Sequence, residues 1–443
     1  MRIPLDRESS TPIYHQIRLF IQDQISSGKL APEVRLPASR ELARNLGVSR
    51  LTVTNAYAEL EAQGLVYTKQ GGGTYVASIP VDYSALIGKY PAANPPAWQN
   101  QLLTSSWESA SQGLDQMIAS ATHPDLISFA EGGGDSSLFP LDDFRKALHN
   151  VLRQKGRAAL SYGDSAGYAP LRNTIAQILT NQGIPAHPDH VLVTTGSQQA
   201  LGMVVRLLTR AGDSVLIESP THMGFIVLCH SSDINMIEVP VDEEGMKVDR
   251  VEELLCRVNP KLIYTVPNFQ NPTGACLSSI RRRKLVALAE KYNLPILEDD
   301  FVGDLRYKGI AQPALKALDR NGSVIYVGTF SKMLIPCLRI GFLVAADVVY
   351  ERLRDIKHNS DVTTSNLMQH ALDAYITVGR YQASLRKARF IFNQRRGVMI
   401  NALSHYMPAG VRWNNALGGL YIWLQLPGKL SADEFILSQQ RPE

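Results

Sequence analysis

The chain has 443 residues, with 45 Lys and Arg against 41 Asp and Glu and a formal charge of +4. That length excludes a small binding module and allows two or three domains around a large core. The near-neutral balance excludes a chain-wide polycation, so any nucleic-acid contact must come from a local surface.

Residues 11 to 28 place Ile13, Ile17, Phe20, Ile21 and Ile25 at helical spacing, and Gly28 ends the pattern. Ser39 is expected to cap a short second helix, Arg40 to Leu46. After Gly47, Ser49 opens a third helix running to about Gln63. Leu65 to Val76 alternates apolar and polar residues around Gly71, Gly72 and Gly73, a pattern that suits a short hairpin. Pro80, Pro91, Pro95 and Pro96 mark the stretch that follows as a linker, 80 to 112.

Beyond it, strand-like apolar runs alternate with amphipathic helical stretches. The runs are His190 to Thr194, Ser214 to Glu218, Ile234 to Val239, Leu262 to Val266, Leu294 to Glu298 and Val324 to Val327. This alternation predicts an α/β fold with a mostly parallel sheet covered by helices. Tyr381 to Ala402 reads as one long basic helix and Gly419 to Leu426 as a strand. Cys229, Cys256, Cys276 and Cys337 show no Cys-x-x-Cys spacing, which argues against a zinc site or a secreted disulfide framework and predicts a cytoplasmic protein. No apolar run reaches membrane-spanning length, and Asp6 and Glu8 fall where a signal peptide needs its apolar stretch.

The most informative run is Tyr326-Val-Gly-Thr-Phe-Ser-Lys332, with Arg339 seven residues on. Two hydroxyls, Thr329 and Ser331, and a guanidinium can converge there on a phosphate dianion, beside an amine able to attack an aldehyde. Four further motifs fall at the C-terminal ends of predicted strands, where open α/β sheets bind ligands. Thr194-Thr-Gly-Ser-Gln-Gln199 joins strand to helix, so backbone amides near Gly196, Ser197 and Gln198 can receive phosphate. Glu218-Ser-Pro-Thr-His222 places an imidazole just after a strand, and Asn271-Pro-Thr-Gly274 places a neutral donor beside two backbone-fixing residues. Glu298-Asp-Asp-Phe301 ends a buried strand on three acids, which is costly unless one meets a positive partner such as a protonated pyridine nitrogen.

The order of these motifs resembles fold-type I pyridoxal-phosphate enzymes, specifically class I/II aminotransferases. The resemblance implies that Lys332 forms the Schiff base with pyridoxal 5'-phosphate, Asp299 holds the pyridine nitrogen and Asn271 donates to the ring oxygen. It implies that His222 stacks on the ring and that Ser197, Gln198, Thr329, Ser331 and Arg339 bind the phosphate. Tyr162 resembles the tyrosine that reaches the phosphate from the partner subunit, which implies a homodimer.

Residues 11–79 resemble the GntR-type winged helix through Leu36-Pro-Ala-Ser-Arg-Glu-Leu-Ala43 and Gly47-Val-Ser-Arg-Leu-Thr-Val-Thr-Asn55. The candidate DNA contacts are Arg35, Ser39, Arg40, Ser49, Arg50, Thr52, Asn55 and Gly72, although residues 1 to 80 hold only nine basic against seven acidic residues. Joined to an aminotransferase-like body over 113–443, this reader resembles the MocR family of transcriptional regulators. The resemblance implies a double-stranded DNA operator, a homodimer, and sensing of pyridoxal phosphate or an amino compound. The alternative is an aminotransferase tethered by its N-terminal module. Two departures stand out. Phe301 replaces the tyrosine usual in Asp-Asp-Tyr, and no arginine after Tyr421 matches the substrate-carboxylate clamp, so the C-terminal part is expected to be incomplete and turnover slight.

Overall fold

The computed structural model describes residues 1–77 apart from 2, 8, 10, 70 and 71, positions 129 and 132, and residues 136–428 apart from 333. The expected linker therefore lies outside the described residues. Two units divide the chain, Met1–Thr104 and Ser105–Glu443.

In the first unit, helix α1 (Ile13–Ser26) buries Ile17, Ile21 and Ile25. They are four residues apart and so share one helix face. Helices α2 (Ser39–Leu46) and α3 (Arg50–Ala62) close on that face with Leu42, Val53, Ala56 and Leu60. Gly47 ends α2 in the left-handed region at φ 63, and Ser49 caps α3 by accepting the Thr52 N–H at 3.1 Å. Strands β1 (Val66–Lys69) and β2 (Gly73–Val76) form the expected antiparallel hairpin, with Val66 opposite Val76. Ser39 differs from expectation: it is the first residue of α2, after Ala38, and makes no capping bond. Residues before 11 also join this core. Ile3 is buried in it, and Arg7 donates to the carbonyls of Leu46 and Gly47, satisfying the exposed end of α2.

The second unit holds an eight-stranded sheet. Its strands are β3 (Val191–Thr194), β4 (Ser214–Ser219), β5 (Asn235–Asp242), β6 (Gly245–Met246), β7 (Leu262–Thr265), β8 (Ile296–Asp300), β9 (Val324–Thr329) and β10 (Gly341–Val344). The spatial order is β3-β10-β9-β8-β7-β4-β5-β6. Pairing from β9 through β8, β7 and β4 to β5 is parallel, whereas β10 runs antiparallel to both β3 and β9. Strands β3 and β7 are buried at every position, as a sheet covered on both faces requires.

The long helix is Arg380–Tyr406. The strand expected over 419–426 shrinks to β12 (Leu424–Gln425), which pairs with β11 (Arg412–Trp413). Gly419 instead packs on Phe269, where a Cβ would sit 2.5 Å from the Phe269 Cβ, and its N–H donates to Leu305 O. Contact with the large body replaces the ladder there. Among the described residues, no helix is long and apolar enough to cross a membrane.

Candidate functional site

The N-terminal surface is built from helix ends. Arg35, Arg40, Arg50 and Asn55 are exposed. Ser49 and Thr52 share a 2.8 Å hydroxyl contact that stiffens the first turn of α3. Ser39 is half-buried on α2. Gly72 turns the hairpin by donating to Lys69 O at 2.9 Å, and Gly73, at φ 102, admits the Arg35 side chain: a Cβ there would lie 2.9 Å from Arg35 Nε. Three further exposed side chains escaped the sequence-level selection. Arg44 follows on α2, Lys69 lies over the rings of Tyr67 and Tyr75, and Leu51 stands 68% exposed beside Arg50. Leu51 precedes Val53 by two residues and so stands on the helix face opposite the buried Val53, Ala56 and Leu60.

In the second unit, three loops converge at the C-terminal ends of β3 and β9 and the N-terminal end of the antiparallel β10. Gly196, at φ 85, precedes helix Ser197–Leu208, and the Arg339 guanidinium reaches it: Arg339 Nη2 donates to Thr195 O at 3.2 Å and lies 2.5 Å from where a Gly196 Cβ would be. Gly341 is equally constrained, since its Cβ would sit 2.8 Å from Ser197 N. A guanidinium therefore stands at a positive helix end, as an anion site requires. Asp361 fixes the same turn by accepting from Thr195 Oγ1, Gln199 Nε2 and Lys357 Nζ at 3.1, 2.8 and 2.7 Å. Thr329 accepts the Ser331 N–H at 3.1 Å, which sets the turn leading to Lys332. The Gln198 side chain is engaged elsewhere, donating to Gly224 O at 2.8 Å, so its backbone N–H is the group available at the helix end.

The three acids of β8 separate clearly. Glu298 accepts the backbone N–H groups of Leu315 and Lys316, both at 2.8 Å, and so caps the helix Leu315–Leu318. Asp300 accepts from Asn268 Nδ2 at 3.0 Å and from Tyr326 OH at 2.8 Å. Asp299 accepts only from Tyr264 OH, at 3.0 Å to Oδ2, and its Oδ1 is buried with no partner. Burial pushes the Asp299 carboxyl up to about 7, the Tyr264 bond opposes this, and the charge on Asp300 adds to it.

His222 immediately precedes helix Met223–Ser231 and is half-buried, with its Nδ1 enclosed and unpartnered. Burial, and then the charge of Lys332, push its pKa down to about 4, so the ring is neutral. Glu218 ties the His222 and Asn271 loops together. It accepts from Thr265 Oγ1 at 2.7 Å, Val266 N at 3.1 Å and Gln270 Nε2 at 3.2 Å, while Gln270 also donates to Pro220 O at 2.7 Å. Asn271 follows directly, half-buried. Tyr162 lies on the surface, 87% exposed.

Pyridoxal phosphate fits this arrangement. Among the described residues, eight buried side-chain polar atoms lack a partner, and four of them belong to Thr221, His222, Asp299 and Ser331. Orphaned polar atoms are costly in a core, and their concentration at one place calls for a polar ligand. Asp299 Oδ1 suits a protonated ring nitrogen, and the Gly196–Arg339 cradle suits a phosphate.

Fold and site together define an aminotransferase-type body of fold-type I joined to a winged helix-turn-helix. Residues 125–439 match the Aminotransferase class I and II family, and residues 13–76 match the bacterial regulatory proteins of the gntR family. The chain belongs to the aminotransferase class I and II family and, with its gntR-type domain, has the MocR-like architecture. It is 32% identical over 430 residues, 97% of this chain and 87% of the relative, to the HTH-type transcriptional regulator YisV of Bacillus subtilis. It is 31% identical over 397 residues, 89% of this chain and 78% of the relative, to the probable rhizopine catabolism regulatory protein MocR of Rhizobium meliloti. The structure of Pyrococcus horikoshii kynurenine aminotransferase, solved with PMP, superposes at TM-score 0.72 and 32% identity, covering 80% of this chain and 86% of that one.

Proposed function

We propose that the protein is a pyridoxal-phosphate-dependent, DNA-binding transcriptional regulator that acts as a homodimer. Its aminotransferase-type body senses the cofactor or an amino compound. The observation that carries this is the joint presence, in one chain, of an exposed polar helix-turn-helix face and a buried set of unpartnered atoms matched to the cofactor.

When bound, the cofactor supplies an aldehyde for covalent attachment and an aromatic ring that withdraws electrons. Lys332 is the residue for that attachment. Asp299, steadied by Tyr264, holds a proton on the ring nitrogen through its open oxygen. His222, kept neutral by burial, offers a flat face without adding charge. Asn271 donates to the ring oxygen, and the Ser197 and Gln198 amides, Thr329, Ser331 and Arg339 hold the phosphate. Tyr162 reaches the phosphate of the partner subunit.

On the DNA side, Arg50 and Asn55 read base edges in the major groove, while Arg35, Arg40, Ser39, Ser49, Thr52 and the Gly72 turn contact backbone phosphates. Coupling requires the effector to bind two arrangements of the dimer unequally. The test is a visible spectrum of the purified protein incubated with pyridoxal phosphate, with and without borohydride, followed by selection of bound duplexes from a genomic library. A reduced adduct on the Lys332 peptide and enrichment of one sequence are expected. Absence of both overturns the proposal.

A further inference from the structure

Asp299 and Asp300 are successive residues of β8 and therefore point to opposite faces of the sheet. Asp299 meets Tyr264 on one face, and Asp300 meets Tyr326 on the other. On the Asp300 side lies a cavity of about 440 Å³, between the sheet, helix Ala169–Asn181 and the start of helix Arg380–Tyr406. That is a volume suited to a small organic ligand. Of the residues assigned to the cofactor, only Thr329 borders it.

The polar groups around this cavity differ in what they leave open. Asp300 accepts one bond on each oxygen, from Asn268 and Tyr326. Asp304 does likewise, from Gln182 Nε2 at 2.7 Å and Tyr381 OH at 2.8 Å, and burial pushes its carboxyl up. Both carboxylates are therefore held on each oxygen, and neither keeps an orphaned atom. The donors differ. Arg306 Nε is enclosed and has no partner, while its guanidinium lies 4.8 Å from the centre of the Phe269 ring. Arg389 donates its Nε to Asp304 O at 2.7 Å and borders the same space. Apolar lining comes from Ile178 and Leu179 of the helix and from Phe330 and Phe342 on the sheet side.

We propose that this cavity is a second ligand site, separate from the cofactor, that takes a small monocarboxylate with an apolar body. The carboxylate meets Arg306, and the hydrocarbon part lies on the Ile178 wall. Strand β8 then carries a residue of each site on adjacent positions, facing opposite ways.

The experiment is calorimetric titration with 4-methylpentanoate, which has no carbonyl to react with an amine or amino group to react with an aldehyde. It is run on untreated protein and on protein incubated with pyridoxal phosphate and then reduced with borohydride. One site per chain with the same affinity in both preparations is expected. Arg306→Met should bind on the order of tenfold to a hundredfold more weakly, as loss of a charge-assisted hydrogen bond predicts. Ile178→Trp, which adds bulk to the apolar lining, should abolish binding, and it decides the matter if Arg306→Met does not fold. No binding to either preparation, loss of binding after reduction, or unchanged affinity in the variants would overturn the proposal. Failure to trap an adduct on Lys332 would count against the cofactor assignment alone.

Discussion

At the scale of single residues, the decisive contrast lies within Glu298, Asp299 and Asp300. All three are acids at the end of a buried strand, yet only Asp299 keeps an oxygen without a hydrogen bond. The sequence makes the cost of three buried acids visible and orders the motifs around them. It does not reveal Tyr264 or Glu218, whose partners are distant in the chain and meet only when β4, β7 and β8 pair. Wild-type protein incubated with pyridoxal phosphate and borohydride should carry a reduced adduct on the Lys332 peptide, and Lys332→Ala should lose the visible band. An adduct on another lysine would contradict this assignment.

The same acids predict a pH dependence. Burial raises Asp299, Glu218 and Glu298 to about 7 from ordinary values of 3.8, 4.5 and 4.5. As pH climbs from about 4 to about 7 the unfolded chain releases these protons first, so stability is full below the ordinary values and falls through the folded ones. His222, held at about 4 against an ordinary 6.5, acts in the opposite direction below 6.5, and three groups outweigh one. Denaturation midpoints of cofactor-free protein should therefore be lower at about pH 7.5 than at about pH 5, with a flatter dependence in Glu298→Gln. A midpoint that rises over this interval would refute the account.

At the scale of elements, helices and parallel strands were legible because their periods and end residues agree. The spacing of Ile17, Ile21 and Ile25, the Gly47 break and the Ser49 cap all point the same way. Strand β10 was not, since an apolar run of four after a loop carries no direction, and its antiparallel placement between β3 and β9 comes from tertiary pairing. Nor was the failure of the 419–426 strand, because alternation cannot foresee that Gly419 must lie on Phe269. For α3, Ser49→Ala should cost about 0.5–2 kcal/mol of stability in the N-terminal unit, measured by denaturation. Arg50→Ala should lose about 1–3 kcal/mol of operator affinity and relax specificity at one base pair. Arg40→Ala should instead weaken binding to all duplexes and reduce the salt slope by about one. Unchanged affinity in both arginine variants would remove the helix-turn-helix from the DNA interface.

At the scale of the whole molecule, the proposed homodimer makes each cofactor site depend on two chains, Lys332 from one and Tyr162 from the other. Lys332→Ala and Tyr162→Ala chains should each bind cofactor poorly alone. When the two are mixed and allowed to exchange, one intact site per heterodimer should return, read as borohydride-trapped cofactor per dimer. No recovery on mixing would mean that Tyr162 serves its own chain or neither.

The central claim is that cofactor and DNA act on one molecule, and its most direct measurement is operator affinity at fixed salt for wild type and Lys332→Ala, each with and without pyridoxal phosphate. Sequence-specific binding by both is expected, with an affinity that shifts by about fivefold or more on adding the cofactor to wild type and does not move in Lys332→Ala. Equal affinity in all four samples would contradict it.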